Sequence, residues 1–390
     1  MRTRHVQRLG DVAAADWDGL FDGGYPFTRH AWLSALEKHG CVSDTEGWQP
    51  HHLIAEDDAG RPIGAVPLYL KHHSYGEFVF DFAWANASHE LGKPYYPKLL
   101  CAIPFVPSVG PRIGVSEESV RPAIASYLAR LPEAEKLSSI HALFAADVDA
   151  AALDAQGLIE RNDTQFQWDD RGYGDMAGFL ASLTSEKRKK LQRERRRVAE
   201  AGIGFEVARG RELSESAWDL VYRLYINTYL ERGQSPYFTR DFLAEIGRHP
   251  DLDMRLVFAV HEGRRVAVAI TLVGGDTLYG RHWGAEAHYH SLHFECCYYQ
   301  GIELCLREGL KRFDAGTQGA HKHGRGFEPV RTRSLHRMSD PRLHQAVAHF
   351  LARERRAVAA RESEFMQHTA YRAESPARVE ADRAQSRFDG

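Results

Sequence analysis

Between Tyr279 and Phe327 the chain gathers side chains that take protons and side chains that hold anions: Arg281, His282, Glu295, Gln318, His321, Lys322 and Arg325. A carboxylate or a neutral imidazole can take a proton, and lysine and arginine hold phosphate or carboxylate. His282 and Glu295 make a candidate pair for removing a proton from an ammonium, directly or through water. The stretch Gly316-Thr-Gln-Gly-Ala-His-Lys-His-Gly-Arg-Gly-Phe327 puts His321, Lys322 and Arg325 among glycines. Glycines allow backbone N–H groups to approach a ligand, so His321 and Lys322 are candidates for anion binding, and His321 also for proton transfer. Plainer readings stand beside these. Glu295 can cap a helix, His282 can pack beside Trp283, and His-Lys-His can be a solvated loop. His321-x-His323 has no further ligand at usable spacing, so no metal site is expected. Cys296-Cys297 has no clear His–Asp arrangement around it and reads as packing.

Two more groups of residues point to ligands. The run Lys187-Arg-Lys-Lys-Leu-Gln-Arg-Glu-Arg-Arg-Arg197 holds eight basic residues in eleven, against a net charge of −3 for the whole chain. Lys187, Arg188, Lys189 and Lys190 suit a phosphate-rich partner. The alternative is a solvated helix pairing with Glu186, Glu194 and Glu200. No aromatic residue interleaves the run, so base stacking is not indicated. Earlier in the chain, Asp81, Trp84, Tyr95, Tyr96 and Lys98 combine aromatic faces with a cation and a carboxylate, which suits a sugar or a planar acceptor. Buried tyrosines with satisfied hydroxyls are the alternative there.

The elements that must position these residues read as a duplication. At 390 residues two domains are the natural prior. Leu53-Ile54 runs through Gly60-Arg61 to Ile63-Gly-Ala-Val, and Leu256-Val257 runs through Gly263-Arg264 to Val266-Ala-Val-Ala-Ile. Both are hairpin signatures. Each is followed by a third strand (Leu99 to Phe105; Thr277 to Trp283), a helix (about Ser116 to Leu131; Ser291 to Glu308) and a short strand (Ser139 to Phe144; Lys311 to Ala315). Two β-β-β-α-β units make a duplicated α/β domain. In the second helix Phe294, Cys297, Tyr298, Gly301, Ile302, Cys305 and Leu306 form one apolar stripe, with Glu295, Tyr299 and Glu303 on another face. Ser291 is the expected N-cap and Gly309 the expected stop. Gly301 is expected to let the helix approach the sheet. Helices are also expected at Phe27 to Lys38, Met176 to Leu183, Glu186 to Ala201 and Trp218 to Tyr229. The boundaries read as 1–165, 166–352 and a charged tail over 353–390 that is helical at first and disordered by about Ser375.

Composition excludes little but narrows the setting: 43% hydrophobic, 26% charged, 21 histidines and five cysteines without a CxxC pair. No membrane span or secretory signal is legible, and the thiols are expected to be reduced, which suggests the cytoplasm.

Several strings resemble the FemAB-like group of peptidoglycan biosynthesis and recognition proteins. They are Tyr95-Tyr-Pro-Lys-Leu-Leu100, Pro104-Phe-Val-Pro-Ser-Val-Gly-Pro-Arg112, Ser185-Glu-Lys-Arg-Lys-Lys190, Leu278-Tyr-Gly-Arg-His-Trp-Gly284, Leu292-His-Phe-Glu-Cys-Cys-Tyr-Tyr-Gln-Gly301 and Gly319-Ala-His-Lys-His-Gly-Arg-Gly-Phe327. The resemblance covers about residues 27 to 350 and implies a tandem GNAT-type acyltransferase of α/β (α+β) class, each half a mixed, mostly antiparallel sheet flanked by helices. It implies amide formation by direct attack of an amine on aminoacyl-tRNA, or on acyl-CoA as in the wider superfamily, with no tightly bound cofactor. By this analogy the first domain takes the acceptor, a small-molecule or peptide amine, and the second the donor. DNA is not an expected partner. The pyrophosphate-binding pattern Arg/Gln-x-x-Gly-x-Gly/Ala is not legible before Ser291, where Arg281-His-Trp-Gly-Ala is a partial echo. That departure favours tRNA over coenzyme A. A silent domain that binds cell-wall fragments or tRNA is the remaining alternative.

Overall fold

In the computed structural model the described residues are 1–317 and 319–373. They form two compact units: residues 1–163, 237–242 and 331–359 make unit 1, and 164–236, 243–330 and 360 onward make unit 2. Both units are sheets flanked by helices, the α/β architecture that the duplication predicts. Gln318 and the expected loss of order from Ser375 onward lie outside the described residues.

Unit 1 contains β1 (Arg2–Val6), β2 (Trp48–Pro50), β3 (His52–Glu56), β4 (Pro62–Val66), β5 (Leu68–Lys71), β6 (Lys98–Cys101), β7 (Gly114–Val115) and β8 (Ser139–Ala142). The expected hairpin is β3–β4, closed by Asp57, whose side chain accepts from the N–H groups of Ala59 and Arg61, and by Gly60 at φ 78°. It lies in a four-stranded sheet of order β1-β3-β4-β7. The expected third strand is shorter than predicted and pairs elsewhere, with β5 on one side and β8 on the other. Pro67 separates β4 from β5. Without an N–H it cannot continue a ladder, and the chain changes sheets there. The helix expected from Ser116 starts later, at Arg121–Ala134, after a 3-10 turn at Glu118–Val120. A core of Leu53, Val66, Leu99, Ile124, Leu128, Ile140 and Leu153 joins that helix to the strands.

Strand β9 (Ile159–Asp169) begins in unit 1 and ends in unit 2, where the order continues as β10 (Ile203–Arg209), β11 (Asp253–His261), β12 (Arg264–Gly274), β13 (Thr277–Ala285) and β14 (Arg312–Asp314). The second hairpin, β11–β12, turns on Glu262 and Gly263 at φ 50° and 74°. Positive φ at both central residues marks the tight turn whose twist matches the strands. Leu256 to Ala259 and Val266 to Ala269 are all buried, so both faces of this hairpin are covered. β13 follows β12 antiparallel and, after the helix, β14 runs parallel to β13, in the chain order that the repeat predicts. Strand β15 (Glu328–Met338) runs from unit 2 into unit 1, where it pairs with β8.

The second helix departs from a regular α-helix. It is Leu292–Phe294, then a π turn over Glu295–Tyr299, then Gln300–Glu308. The wider turn shifts the helical register, so the buried face differs from the predicted stripe. Glu295, Cys296, Tyr298 and Tyr299 are buried, whereas Cys297 and Leu306 are only partly so. Ser291 is not a side-chain cap: it sits at φ 67° with its hydroxyl on His290 Nδ1. Gly309 does end the helix, at φ 73°. Gly301 permits the close approach expected of it, since an added Cβ would stand 2.3 Å from the Phe313 ring of β14.

The remaining expected helices are Met176–Ser182, Ser185–Glu200 and Glu215–Leu230 in unit 2 and His30–Lys38 in unit 1. A long helix, Pro341–Gln367, follows β15, and beyond it Ala370 and Tyr371 are buried in the core of unit 2.

Candidate functional site

The site in unit 2 begins with a flaw in a ladder. Ile270 faces His282 but Thr271 faces Gly280, which leaves Arg281 as the extra residue of a β-bulge in β13. Bulges redirect side chains and end regular pairing. β14 pairs with β13 only along Thr277–Tyr279 and stops at Asp314; among the described residues no strand pairs with that edge of β13 farther on. The redirected Arg281 meets Asp314 at 3.0 Å, with both side chains buried. The other oxygen of Asp314 accepts from Gly316 N–H at 2.9 Å. Lys322 is buried too, and its ammonium donates to the carbonyls of Ala315, Gly316 and Thr317 at 3.1, 2.6 and 3.2 Å. Burial lowers the Lys322 pKa to about 8, with Asp314 opposing and Arg281 adding to the shift. These three side chains therefore fasten the glycine-rich turn to the end of β14.

His321, in the same turn, is exposed, and its Nε2 lies 3.0 Å from the Tyr298 hydroxyl. Burial and then the charges of Arg325, Lys322 and Lys190 hold its pKa below the usual histidine value. The imidazole is thus neutral at pH 7 while still reached by solvent. His282 is more enclosed. Burial, reinforced by Arg281, lowers its pKa to about 3, and its Nδ1 lies 3.4 Å from the Tyr229 hydroxyl. Glu295 does not pair with His282. It accepts from Arg195 at 3.2 Å and Gln300 at 2.9 Å, and burial raises its pKa against the pull of Arg195. The π turn carries Glu295 to this buried position.

The basic helix Ser185–Glu200 turns Leu191, Glu194 and Val198 inward. Glu194, read from sequence as a solvated partner for its neighbours, is buried and accepts from Arg325 at 2.8 Å. The Tyr299 hydroxyl donates to the same carboxylate, and Arg325 Nη1 donates to the His321 carbonyl at 2.8 Å. Arg195 bridges Glu295 and Glu303, Lys187 meets Glu186, and Arg196 meets Glu200. Arg188, Lys189, Lys190 and Arg193 have no ion-pair partner among the described residues. Glu194, Arg195, Tyr298, Tyr299 and Asp314 were missed as site residues. The two on the basic helix look like members of a charge run, and only the apolar spacing of Leu191 and Val198 could have shown Glu194 facing inward.

In unit 1 the expected residues do come together. The buried Lys98 ammonium donates to Ser74 at 2.8 Å, Glu77 at 2.8 Å and Asp81 at 2.5 Å. The Tyr95 hydroxyl donates to Asp81 at 2.6 Å, and Tyr96 shares a hydrogen bond of 2.8 Å with Ser74. Trp84 stacks on His141, whose Nδ1 meets His336 Nδ1 at 2.8 Å. Burial raises Glu77 to about 7 against the pull of Lys98. Burial pushes Asp81 up, but the Lys98 charge, His141 and hydrogen bonds from Lys98 and Ser74 together bring it down to about 2. Glu77 Oε1 and Asp81 Oδ1 are buried without a hydrogen-bond partner. A separate cleft of about 410 Å³ in unit 1, bordered by Phe21, Pro111, Glu118, Arg121 and Val148, contains none of the expected residues.

A family model described as peptidoglycan biosynthesis/recognition, FemAB-like, matches residues 8–373. No curated protein matches the sequence. Among solved structures, FemX superposes with a TM-score of 0.51 at 13% identity, over 89% of this chain and 100% of that one. A tandem GNAT protein from the clavulanic acid biosynthesis pathway gives 0.47 at 14% identity, over 87% and 99%. The C-terminal domain of a putative lysylphosphatidylglycerol synthetase from Agrobacterium fabrum gives 0.49 at 12%, over 87% and 94%. At these identities the likeness to FemX is one of fold.

Proposed function

The chain belongs to the FemAB-like family, and from that premise we propose that it forms amide bonds, moving an aminoacyl group from aminoacyl-tRNA to an amine acceptor by direct attack. Membership of a family concerned with peptidoglycan biosynthesis supports acyl transfer; the donor is our inference. One observation carries it: the unpaired cations Arg188, Lys189, Lys190 and Arg193 stand on a helix whose Glu194 is held by Arg325 of the turn that bears His321. A surface suited to a polyanion is thereby fixed to the turn that carries a neutral base. Lys187, paired with an exposed Glu186, joins that surface at little cost.

The reaction needs a neutral amine, a polarised carbonyl and a route for a proton. His321 is the proton acceptor in this reading, because it is uncharged and open to solvent, with Tyr298 orienting the ring. His282 and Glu295 are enclosed and shape the surroundings of the base. Arg281, Lys322 and Arg325 are tied into the protein by hydrogen bonds and position the turn, and Gln318, from the same stretch of sequence, is assigned to the donor side. In unit 1 we assign the acceptor to the aromatic cluster of Asp81, Trp84, Tyr95, Tyr96 and Lys98. An ammonium there would satisfy the two unpartnered carboxylate oxygens. No tightly held cofactor is required. Cytoplasmic action follows from the donor, and no helix among the described residues is long and apolar enough to cross a membrane.

The test is to incubate the pure protein with charged tRNA or acyl-CoA and a panel of amines. Amine-dependent discharge of the tRNA is expected. Discharge of acyl-CoA alone would overturn the tRNA assignment, and discharge of neither would remove the transferase reading.

A further inference from the structure

We propose that His5, His51 and Glu135 form a binding site for a divalent transition-metal ion of the zinc type in unit 1. The three come from different elements: His5 from β1, His51 from the link between β2 and β3, and Glu135 from the C-terminal cap of the helix Arg121–Ala134. One donor atom from each lies within 4.8 Å of the other two. His51 Nε2 is 3.1 Å from Glu135 Oε1, and His5 Nε2 is 3.9 Å from the same oxygen. Around a tetrahedral zinc, with bonds of about 2.0–2.2 Å, donor atoms stand roughly 3.3 Å apart. The present spacing is therefore close to what an ion needs.

The two imidazoles stack at 4.0 Å with 17° between their planes, so the His51 ring turns out of that stack when both Nε2 atoms take one ion, which must lie in the plane of each ring. His5 Nδ1 lies 3.1 Å from the His51 carbonyl, a contact that requires the hydrogen on Nδ1. That leaves Nε2 as the bare nitrogen facing the carboxylate, and a backbone acceptor behind a metal-binding imidazole is the usual orienting device. The Tyr127 hydroxyl stands 3.1 Å from His5 Nε2. The neighbouring His52 shows the contrast. It is fully buried, with Nε2 on Glu37 and Nδ1 accepting from Leu68 N–H, so it is committed to the fold. Two imidazoles and one carboxylate leave a position for water, and such a donor set suits zinc and its neighbours rather than magnesium or calcium. β1 is held to β3 by a continuous ladder from Arg2↔Glu56 to Val6↔His52, so two of the ligands stand on one rigid frame. A bound ion would tie that frame to the helix end. This site is independent of the acyl-transfer reading.

The experiment uses the full chain, stripped with a chelator and titrated with zinc chloride against a competing indicator, with cobalt(II) as a spectroscopic substitute. One equivalent is expected to bind, with cobalt absorption characteristic of low coordination and a rise in thermal midpoint on adding zinc. His51→Ala and His5→Ala should each weaken zinc binding about tenfold or more. Glu135→Gln keeps the shape of the side chain, so it serves if a histidine variant fails to fold, and the same weakening is expected of it. Absence of stoichiometric zinc in the wild type, or wild-type affinity in folded Glu135→Gln, would overturn the proposal.

Discussion

Unit 1 buries a lysine between two carboxylates, whereas unit 2 buries an arginine against one. The Glu194–Arg325 pair is charge-balanced, and its remaining donors go to Tyr299 and the His321 carbonyl. That arrangement is mechanical: it holds a helix to a turn. In the Lys98 cluster one ammonium meets two carboxylates directly, the buried Lys71 acts on both through space, and each carboxylate keeps an oxygen without a hydrogen bond from the chain. Its two acids are split, to about 7 for Glu77 and about 2 for Asp81. The saturated pair fixes geometry, and the Lys98 cluster is where we place the acceptor. Separated acid constants are also a common mark of functional carboxylates.

The comparison can be broken most directly at the two cations. Lys98→Met strands two buried carboxylates and should cost about 3–5 kcal/mol of stability in urea unfolding, with Arg325→Met costing less because it strands one. Equal losses would mean that the second carboxylate in unit 1 is already neutral. At the turn itself, His321→Ala should lower amide-forming turnover by about 10²-fold or more with the unfolding midpoint unchanged, whereas Glu295→Gln should act mainly on stability. Full activity in His321→Ala would take that base out of the reaction.

A smaller effect is expected at the surface. Replacing Arg188, Lys189, Lys190 and Arg193 with Ala should weaken tRNA binding and reduce the slope of log affinity against log salt by about 0.7–0.9 for each phosphate that the helix no longer neutralises. An unchanged slope would separate the basic helix from tRNA. The smallest effect is in the pH dependence of stability. Glu77 binds a proton in the fold up to about pH 7, but in the unfolded chain only below about 4.5. It therefore favours the fold at the low end of that window, and this support is lost as pH rises through 7. His282 and His293, lowered by burial to about 3 and 4, act in the opposite sense and lose stability as pH falls below 6.5. Glu77→Gln should leave the histidine effect unopposed and steepen the loss of stability between pH 6.5 and 4.5. A parallel pH profile would show that Glu77 is not the offsetting group.

The second half of the fold was more legible than the first. β11, β12 and β13 are long apolar runs with glycine turns, and neighbours in sequence are neighbours in the sheet. In the first half the same signals were present, but Pro67 sends the chain to another sheet, a consequence no periodicity conveys. The site was legible as composition and illegible as geometry. His282 and Glu295 look like a pair along the chain, but a π turn gives Glu295 to Arg195 instead. Asp81 and Lys98 did come together, because the helix Phe82–Glu90 and the turn after it return the chain to the start of β6. His5, His51 and Glu135 are too far apart in the chain for spacing to reveal them.

Residue order alone determined the two α/β halves, the helix stop at Gly309, the close approach at Gly301 and the high density of cations over 187–197. Those features depend on local propensity, glycine stereochemistry and charge count, which act over a few residues. Tertiary structure decided which cations remain unpaired, which histidines stay neutral and which carboxylates lack a donor. Each of those depends on desolvation and on partners supplied by distant elements, and neither is set until the chain has packed.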